Sequence, residues 1–143
     1  MMKTKGTPHP FRSNFERVCA SELMLMGIEY EYEPFDLEYF SKVRGGECND
    51  CGGHDVEKVR WYCPDFWVPD HQTVIEAKGK FTSENRTKML DVIKAHPEID
   101  FRMWFMYDNK LTKKSTVRYS DWCKTHGITY HVGKEAPPWD DLK

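Results

Sequence analysis

The sequence predicts one domain of the mixed α/β class, with a central β-sheet and helices packed on it. Three observations indicate this class. Apolar residues recur at helical spacing in two segments that each begin at a capping residue, and residues 28–33 alternate strictly between apolar and acidic side chains. Residues 101–107 are too apolar for a surface strand and should lie in the centre of the sheet. The chain has 143 residues, enough to bury one core but hardly two.

The first predicted elements are a helix and a strand. Ser13 and Glu16 have the spacing of a capping box, in which each side chain bonds the backbone amide of the other residue. Apolar residues then recur at helical spacing as far as Met26, and Gly27 supplies a C-terminal stop. Residues 28–33 follow as a strand with one apolar and one acidic face.

An insertion, a hairpin and a second helix are predicted for the middle of the chain. Residues 38–58 are polar and hold two glycine pairs around a Cys-x-x-Cys, so we expect a linker or insertion with little helix or strand of its own. Strand composition resumes at residues 59–68, and a Pro-Asp turn leads to a partner strand at 74–77. Thr82 or Ser83 then caps a helix that stops before a proline.

The last third of the chain completes the sheet. After the central strand we predict a loop at 108–118, a short helix opening at Ser120 and ending at Gly127, a last strand at 128–132 and an irregular tail. The order is therefore helix, strand, insertion, two strands, helix, strand, helix and strand, which is typical of a mixed sheet with helices on it.

Composition narrows the class of protein. Hydrophobic residues make up 39% and charged residues 31%, which predicts a soluble, globular protein. We find no signal peptide and no apolar run that approaches a membrane span, so a reducing, cytoplasmic setting is expected. Five cysteines in such a setting favour packing or metal ligation over disulfides. A formal net charge of −2 argues against a uniformly basic nucleic-acid coat, but it allows a local basic face opposite acidic metal ligands.

Three charged residues interrupt the predicted hairpin, whose sequence is PDFWVPDHQTVIEAKGK. Glu76 and Lys78 are two apart on a strand and share a face, and antiparallel pairing can bring Asp65 beside Glu76. Two carboxylates at one place repel each other unless a hard divalent cation lies between them, and Mg²⁺ or Mn²⁺ suits one or two carboxylates plus phosphate oxygens. Lys78 could then orient or help deprotonate a water and stabilise charge on the phosphate. Metal-assisted hydrolysis of a phosphodiester fits this trio best.

A purely structural alternative is a surface hairpin in which Glu76 and Lys78 form a solvated ion pair. The motif Pro-Asp, ten residues and Glu-x-Lys is the short signature of the PD-(D/E)xK nuclease superfamily, and by itself it is weakly specific. Apolar residues on both sides of the charges weigh against the surface hairpin, because they predict that the hairpin is buried.

A wider resemblance supports the nuclease interpretation. From about residue 11 to 139 the chain resembles the bacteriophage endonuclease I family, the four-way-junction resolvases, in five segments that occur in the same order: FRSNFE, PDFWVP, IEAKG, HPEIDFR and CKTHGI. The resemblance implies a restriction-endonuclease-like fold. It also implies a catalytic tetrad in which Glu16 joins Asp65, Glu76 and Lys78, helping to bind a second metal ion and to position the water. The alternative role of Glu16, in the helix cap, is worth about 1 kcal/mol.

The resemblance further implies a homodimer that acts on DNA in the cytoplasm of the host cell. In the family, the first helix and strand, here residues 11–36, swap between subunits, so that Glu16 would come from one chain and the rest of the site from the other. A rigid two-fold dimer with two such sites suits symmetric cutting of a branched junction, recognised by shape and phosphate positions more than by base sequence.

The cysteine-containing insertion departs from the family pattern. Cys48 and Cys51 with the glycine pair after them resemble a zinc knuckle, and His54 and Cys63 could complete a Cys3His zinc site. The alternative is a flexible, reduced loop with Cys63 packed in its strand.

Basic residues flank the predicted site. Candidates for phosphate contacts are Arg12, Lys80, Arg86, Lys113 and Lys114, although any one of them can equally be a solvated surface cation. The sequence thus leaves three functions open: a metal-dependent endonuclease that resolves branched DNA, a nicking or restriction-type nuclease on duplex DNA, and a non-catalytic zinc-containing DNA-binding module. The presence of all three hairpin residues favours the enzymes.

Overall fold

The computed structural model describes residues 2–4, 11–44 and 55–143. Within them the strands are β1 (Met2–Thr4), β2 (Glu31–Tyr32), β3 (Phe35–Arg44), β4 (Asp55–Tyr62), β5 (Phe66–Val68), β6 (Thr73–Lys78), β7 (Asp100–Phe105) and β8 (Thr129–Val132). The helices are α1 (Asn14–Leu25), α2 (Ser83–Ala95) and α3 (Tyr119–Thr125). The predicted mixed α/β class is confirmed.

The strands form two sheets. The larger has the order β2-β5-β6-β7-β8, with β6, β7 and β8 parallel and β2 and β5 antiparallel to their neighbours. The smaller has the antiparallel order β1-β3-β4. β7 lies between β6 and β8 and is buried from Phe101 onwards, as its apolar composition predicts.

The predicted hairpin is confirmed. Phe66 pairs with Ile75 and Val68 with Thr73, and a 3-10 turn over Pro69–His71 connects the two strands. Gln72 ends the turn with a φ of +47°, a left-handed conformation that lets the chain reverse. The hairpin therefore sets Asp65, just before β5, beside the end of β6.

Two cores lie on opposite faces of the larger sheet. The core beneath α1, which we call the α1 core, includes Phe15, Cys19, Ala20, Ile75, Ala77 and Trp104. The other, the α2 core, lies between the two sheets, α2 and α3, and includes Leu37, Tyr62, Val74, Met89, Val92 and Met103. Because side chains alternate along a strand, Glu76 and Lys78 belong to the face of Val74, and Ala77 to the face beneath α1.

The helix ends follow the capping signals. The Ser13 hydroxyl accepts a hydrogen bond from the Glu16 amide at 3.1 Å, and Thr82 forms a reciprocal capping box with Asn85. Gly27 follows α1 with a φ of +77°, which suits glycine. The reciprocal half of the first capping box is not formed among the described residues, because the Glu16 side chain points to Tyr32 instead.

The expectation for residues 38–58 is wrong in the described part. β3 continues to residue 44 and β4 begins at residue 55, and the two strands pair over eight positions, from Leu37↔Tyr62 to Arg44↔Asp55. These strands were not predicted because much of this sheet is exposed, and its many charged and polar residues do not have the composition of a buried strand. The predicted strand at 28–33 is correspondingly short: only Glu31–Tyr32 pair, and Glu33, with a φ of +45°, turns the chain into β3.

The C-terminal tail, predicted to be irregular, is anchored to the α1 core. Trp139 and Leu142 are buried there, and Trp139 meets Trp104 edge to face at a centroid distance of 5.9 Å. Arg102 donates to both carboxylate oxygens of Asp141 in the final 3-10 turn. Within the described residues, no helix is both long enough and apolar enough to span a bilayer.

Candidate active site

A groove of about 350 Å³ opens beside the hairpin. Side chains from α1, the β2–β3 bend, β4 and the hairpin, most of them charged, form its walls. Those that matter most here are Glu16, Glu33, Tyr62, Asp65, Glu76 and Lys78. The structure thus brings all four residues of the predicted tetrad to one groove of a single chain.

Asp65 and Glu76 are fixed by backbone contacts. The Asp65 carboxylate accepts a hydrogen bond from the amide of Ala77 at 2.9 Å, and the Asp65 amide donates to Oε1 of Glu76 at 3.3 Å. The carbonyl of Asp65 accepts from the amide of Glu33 at 3.0 Å, so the bend before β3 also holds this residue. Glu76 is only 4% exposed. The two carboxylates therefore sit together on a rigid hairpin.

The electrostatics of this pair are unfavourable without a cation. Burial raises the pKa of Asp65 well above its ordinary value, and the negative charges of Glu76 and Glu16 raise it further. A positive charge placed between the carboxylates would therefore stabilise the ionised form of Asp65. Carboxylates perturbed in the way that Asp65 is are concentrated at functional sites.

Lys78 supplies a cation at the mouth of the pair. Its Nζ atom lies 3.6 Å from Oε2 of Glu76, and its side chain is 26% exposed, so it meets solvent and the groove together. The distance is that of an ion pair rather than a short hydrogen bond. The ammonium can therefore turn towards an anion that enters the groove.

Glu16 reaches the groove from the first turn of α1. It is 7% exposed, and its Oε2 atom accepts a hydrogen bond from the Tyr32 hydroxyl at 3.1 Å. That hydroxyl also accepts from the amide of Arg12 at 3.0 Å. Burial raises the pKa of Tyr32, which keeps its hydroxyl protonated as a donor. Glu16 is thus held at the site by β2 rather than used in its own helix cap.

The donors present suit a hard divalent cation. Asp65 and Glu76 offer carboxylate oxygens at one place, and Mg²⁺ or Mn²⁺ takes one or two such ligands and completes its shell with water and phosphate oxygens. In the part of the chain that the structure describes, no group of three or more His, Cys, Asp or Glu side chains is arranged to enclose an ion alone. The arrangement fits an open catalytic ion better than a closed structural one.

Comparison with known proteins assigns the chain to a family. The profile of Phage endonuclease I matches residues 1–137. The chain belongs to the phage endonuclease I family. Curated relatives include Endodeoxyribonuclease 1 of Enterobacteria phage T3, 33% identical over 121 residues that cover 84% of this chain and 70% of the relative. Endonuclease I of Escherichia phage T7 is 31% identical over 144 residues, covering 93% of this chain and 87% of the relative.

One of the four predicted zinc ligands, Cys63, lies among the residues that the structure describes. Cys48, Cys51 and His54 lie outside the described residues. Cys63 directly follows β4, is half-buried and lines the groove, with its Sγ atom 3.8 Å from the carbonyl of Pro64. The Cys3His site therefore stays a prediction.

The predicted phosphate contacts occupy different settings. Arg12 lines the groove and pairs with Glu33, its Nε atom 2.7 Å from Oε1. The Arg86 guanidinium donates to the carbonyl of Phe81 at 2.6 Å, which stabilises the turn before α2. Lys80 is exposed just beyond β6. Their DNA contacts remain predictions.

Lys113 and Lys114 lie in the predicted loop after β7 and are exposed. β6 and β7 are parallel, so the residues that follow both strands leave the same edge of the sheet. Lys78 pairs in register with Phe105, which puts the loop and the groove at that edge. The position is compatible with contact to a nucleic acid that fills the groove.

The sequence interpretation missed several residues of the groove, among them Glu33 and Tyr62. Glu33 is buried, pairs with Arg12 and holds the backbone of Asp65. Tyr62 is the last residue of β4 and is also buried against the site. The available signals were weak: an acidic residue before a proline, and a tyrosine at an inward position three residues before Asp65.

Proposed function

We propose that this protein is a divalent-metal-dependent endonuclease that hydrolyses phosphodiester bonds in branched DNA, in particular four-way junctions. The observation that carries the proposal is the half-buried Asp65 beside the buried Glu76, with the Lys78 ammonium 3.6 Å from Glu76. Membership of the phage endonuclease I family and two relatives named as endonucleases support it, one of them an endodeoxyribonuclease.

Each residue has a separate role in the proposed in-line attack of water on the phosphodiester. Asp65 and Glu76 would hold a divalent cation, which polarises a phosphate and lowers the pKa of an attacking water. Lys78, at the mouth of the pair, stabilises the negative charge that grows on the phosphate oxygens and orients the water. Glu16 lines the same groove from α1, where its carboxylate can position that water or help to bind a second cation.

Branch selectivity and dimerisation belong to the same proposal. Four-way junctions need two symmetric cuts, and a two-fold dimer presents two identical grooves in a fixed relation. The resemblance to junction resolvases supports an exchange of residues 11–36 between subunits. In the single chain described here, Glu16 already reaches its own groove, so the same contacts can be made within or between chains.

One cleavage experiment tests the function. A synthetic four-way junction and a matched linear duplex are incubated with Mg²⁺ and the wild-type protein, Glu76→Ala, or Glu29→Ala. Glu29 is exposed and outside the groove, so it is the matched control. We expect paired symmetric cuts in the junction, lost in Glu76→Ala and kept in Glu29→Ala. Cleavage should weaken when Ca²⁺ replaces Mg²⁺, because Ca²⁺ has a looser coordination geometry.

Other outcomes separate the alternatives. Equal nicking of the linear duplex would make the protein a duplex nuclease. Junction binding without cleavage in any metal would make it a binding module. Sedimentation of the same preparation measures whether the chain is a dimer, and a monomer that cuts both strands would remove the swap from the proposal.

A further inference from the structure

Tyr62 is packed tightly into the wall of the groove. Its side chain is 1% exposed and belongs to the α2 core. The ring lies 6.5 Å from the ring of Phe101, and the Nζ atom of Lys88 lies 5.4 Å from its centroid. The orientation of the hydroxyl is therefore fixed by the fold.

The hydroxyl of Tyr62 is buried without a hydrogen-bond partner among the described residues. It faces Glu76 but does not meet the geometry of a hydrogen bond to it. Burial and the nearby carboxylates of Glu76 and Asp65 raise the pKa of Tyr62, so the hydroxyl stays a donor. Almost all buried polar groups in proteins are paired, and phenylalanine would fill the same space without leaving one unpaired.

The neighbouring carboxylate has room for this donor. Oε1 of Glu76 accepts from the Asp65 amide at 3.3 Å, which is long, and Oε2 lies 3.6 Å from Lys78. A carboxylate accepts several hydrogen bonds, so neither contact saturates it. A small rotation of Glu76 towards Tyr62 would form a short bond and turn the remaining lone pairs into the groove.

We infer that Tyr62 is a positioning residue, whose hydroxyl donates a hydrogen bond to the Glu76 carboxylate when that carboxylate binds a divalent cation. The inference rests on the proposed function, because it assigns the cation to Asp65 and Glu76. Groups that hold a ligand from behind fix its orientation and raise its affinity for the ion, and their loss typically weakens metal binding or activity about 10- to 100-fold.

Tyr62→Phe tests the inference with readouts that a structural role would not produce. Calorimetric titration with Mn²⁺ alone, without DNA, should show binding about 10- to 100-fold weaker than in the wild type. On a four-way junction, kcat at fixed Mn²⁺ should fall while the KM for DNA is unchanged. The Tm of the metal-free protein should be unchanged or higher, because the variant removes an unpaired buried hydroxyl.

Tyr119→Phe is the matched control. Tyr119 is also buried, but its hydroxyl accepts a hydrogen bond from the Phe81 amide at 3.1 Å, away from the two carboxylates. Its removal leaves that amide unpaired, so this variant should have a lower Tm and wild-type affinity for Mn²⁺. The two variants should therefore show opposite patterns.

Each contrary result has one meaning. Wild-type Mn²⁺ affinity and kcat in Tyr62→Phe would overturn the positioning role and leave the nuclease assignment intact. A lower Tm in Tyr62→Phe would also overturn it, because the hydroxyl would then be paired in the metal-free protein. A wild type that binds Mn²⁺ but cleaves nothing would refute the nuclease and leave the Mn²⁺ affinities to decide the role of Tyr62. A wild type that binds no Mn²⁺ would overturn both.

Discussion

Asp65 and Glu76 hold each other in place through the backbone of their hairpin. The amide of Asp65 donates to Oε1 of Glu76 at 3.3 Å, and the Asp65 carboxylate accepts from the amide of Ala77, the residue after Glu76, at 2.9 Å. These contacts keep two negative side chains together although burial raises the pKa of Asp65. The hairpin therefore holds the two carboxylates in place without a cation.

The first prediction concerns the repulsion in this pair. Asp65→Asn should raise the Tm of the metal-free protein at neutral pH by a few degrees, because it removes a buried charge from beside Glu76. Mg²⁺ should raise the Tm of the wild type and not that of the variant, which should not cleave DNA. The raised folded-state pKa fixes the pH dependence: the difference between the two proteins is full above that pKa and shrinks as the pH falls below it. It disappears only below the ordinary pKa of an aspartate, where Asp65 is protonated in the folded and the unfolded state alike. Scanning calorimetry with and without Mg²⁺ would refute the prediction by showing a less stable variant.

Lys78 should affect the rate of cleavage but not the binding of metal. In Lys78→Gln we expect kcat to fall by about 10²- to 10³-fold, because a positive charge that stabilises the reacting phosphate is lost. Affinity for Mn²⁺ should stay the same or increase, because an ammonium 3.6 Å from Glu76 opposes a second cation. Lys94→Gln, at an exposed position near the end of α2, is the control for lost charge. Weaker Mn²⁺ binding in Lys78→Gln would contradict this division of roles.

The loop lysines should contribute to affinity through phosphate neutralisation alone. Changing both Lys113 and Lys114 to alanine should weaken junction binding and reduce the slope of log K against log salt by about 1.8, close to 0.9 for each phosphate contact. Lys124→Ala is the control, because Lys124 lies at the far end of α3, towards the opposite edge of the sheet. An unchanged slope in the double variant, measured by anisotropy over a range of salt, would remove this loop from the interface.

The C-terminal contact between Arg102 and Asp141 should stabilise the fold in a pH-dependent way. Hydrogen bonds from Arg102 lower the pKa of Asp141, which is itself largely exposed. The stabilisation is therefore present above the ordinary pKa of an aspartate and is lost as the pH falls through the lowered one. Asp141→Asn should reduce the Tm at pH 7 by about 2 °C, since solvent screens the pair, and the difference should vanish in strong acid. A constant difference across the acid range would indicate a cause other than charge.

Zinc is predicted from the Cys-x-x-Cys of the insertion. Protein purified without added zinc should contain one zinc ion per chain, and Cys48→Ser with Cys51→Ser should contain none. Elemental analysis of both preparations measures this directly. Less than one zinc per two chains in the wild type would end the hypothesis.

Much of the larger sheet and its helices could be predicted because their signals are local. Thr82 caps α2 as predicted, and the composition of the central strand is explained by burial on both faces. Cys19 and Cys123 lie at apolar positions of α1 and α3 and are packed in the cores. In each case neighbouring residues in the sequence determine the environment.

What escaped prediction depends on contacts that are distant in sequence. The exposed positions of β3 and β4 mix apolar residues, such as Phe40 and Val59, with charged ones, so it is their pairing with each other that reveals them as strands. Local signals alone allow Glu16 to serve its helix cap equally well; only the family resemblance indicated its place in the tetrad, where the hydroxyl of Tyr32, 16 residues away, donates to it. The role inferred for the hydroxyl of Tyr62 depends on its position beside Glu76, and no rule of sequence spacing predicts that contact. The other three members of the tetrad, Asp65, Glu76 and Lys78, lie in one hairpin, so the sequence could predict them together.

Ala77 lies between Glu76 and Lys78, and its side chain packs in the core on the opposite face of the strand. It belongs to the α1 core with Cys19 and Ala20, where all three side chains are small. A larger group at any of these positions would lift the helix from the strand and carry Glu16 away from its partners. Across homologous sequences, side-chain volume at position 77 should accordingly fall where volume at positions 19 and 20 rises. The thickness of the layer between helix and strand thus constrains the sequence at positions that carry no charge.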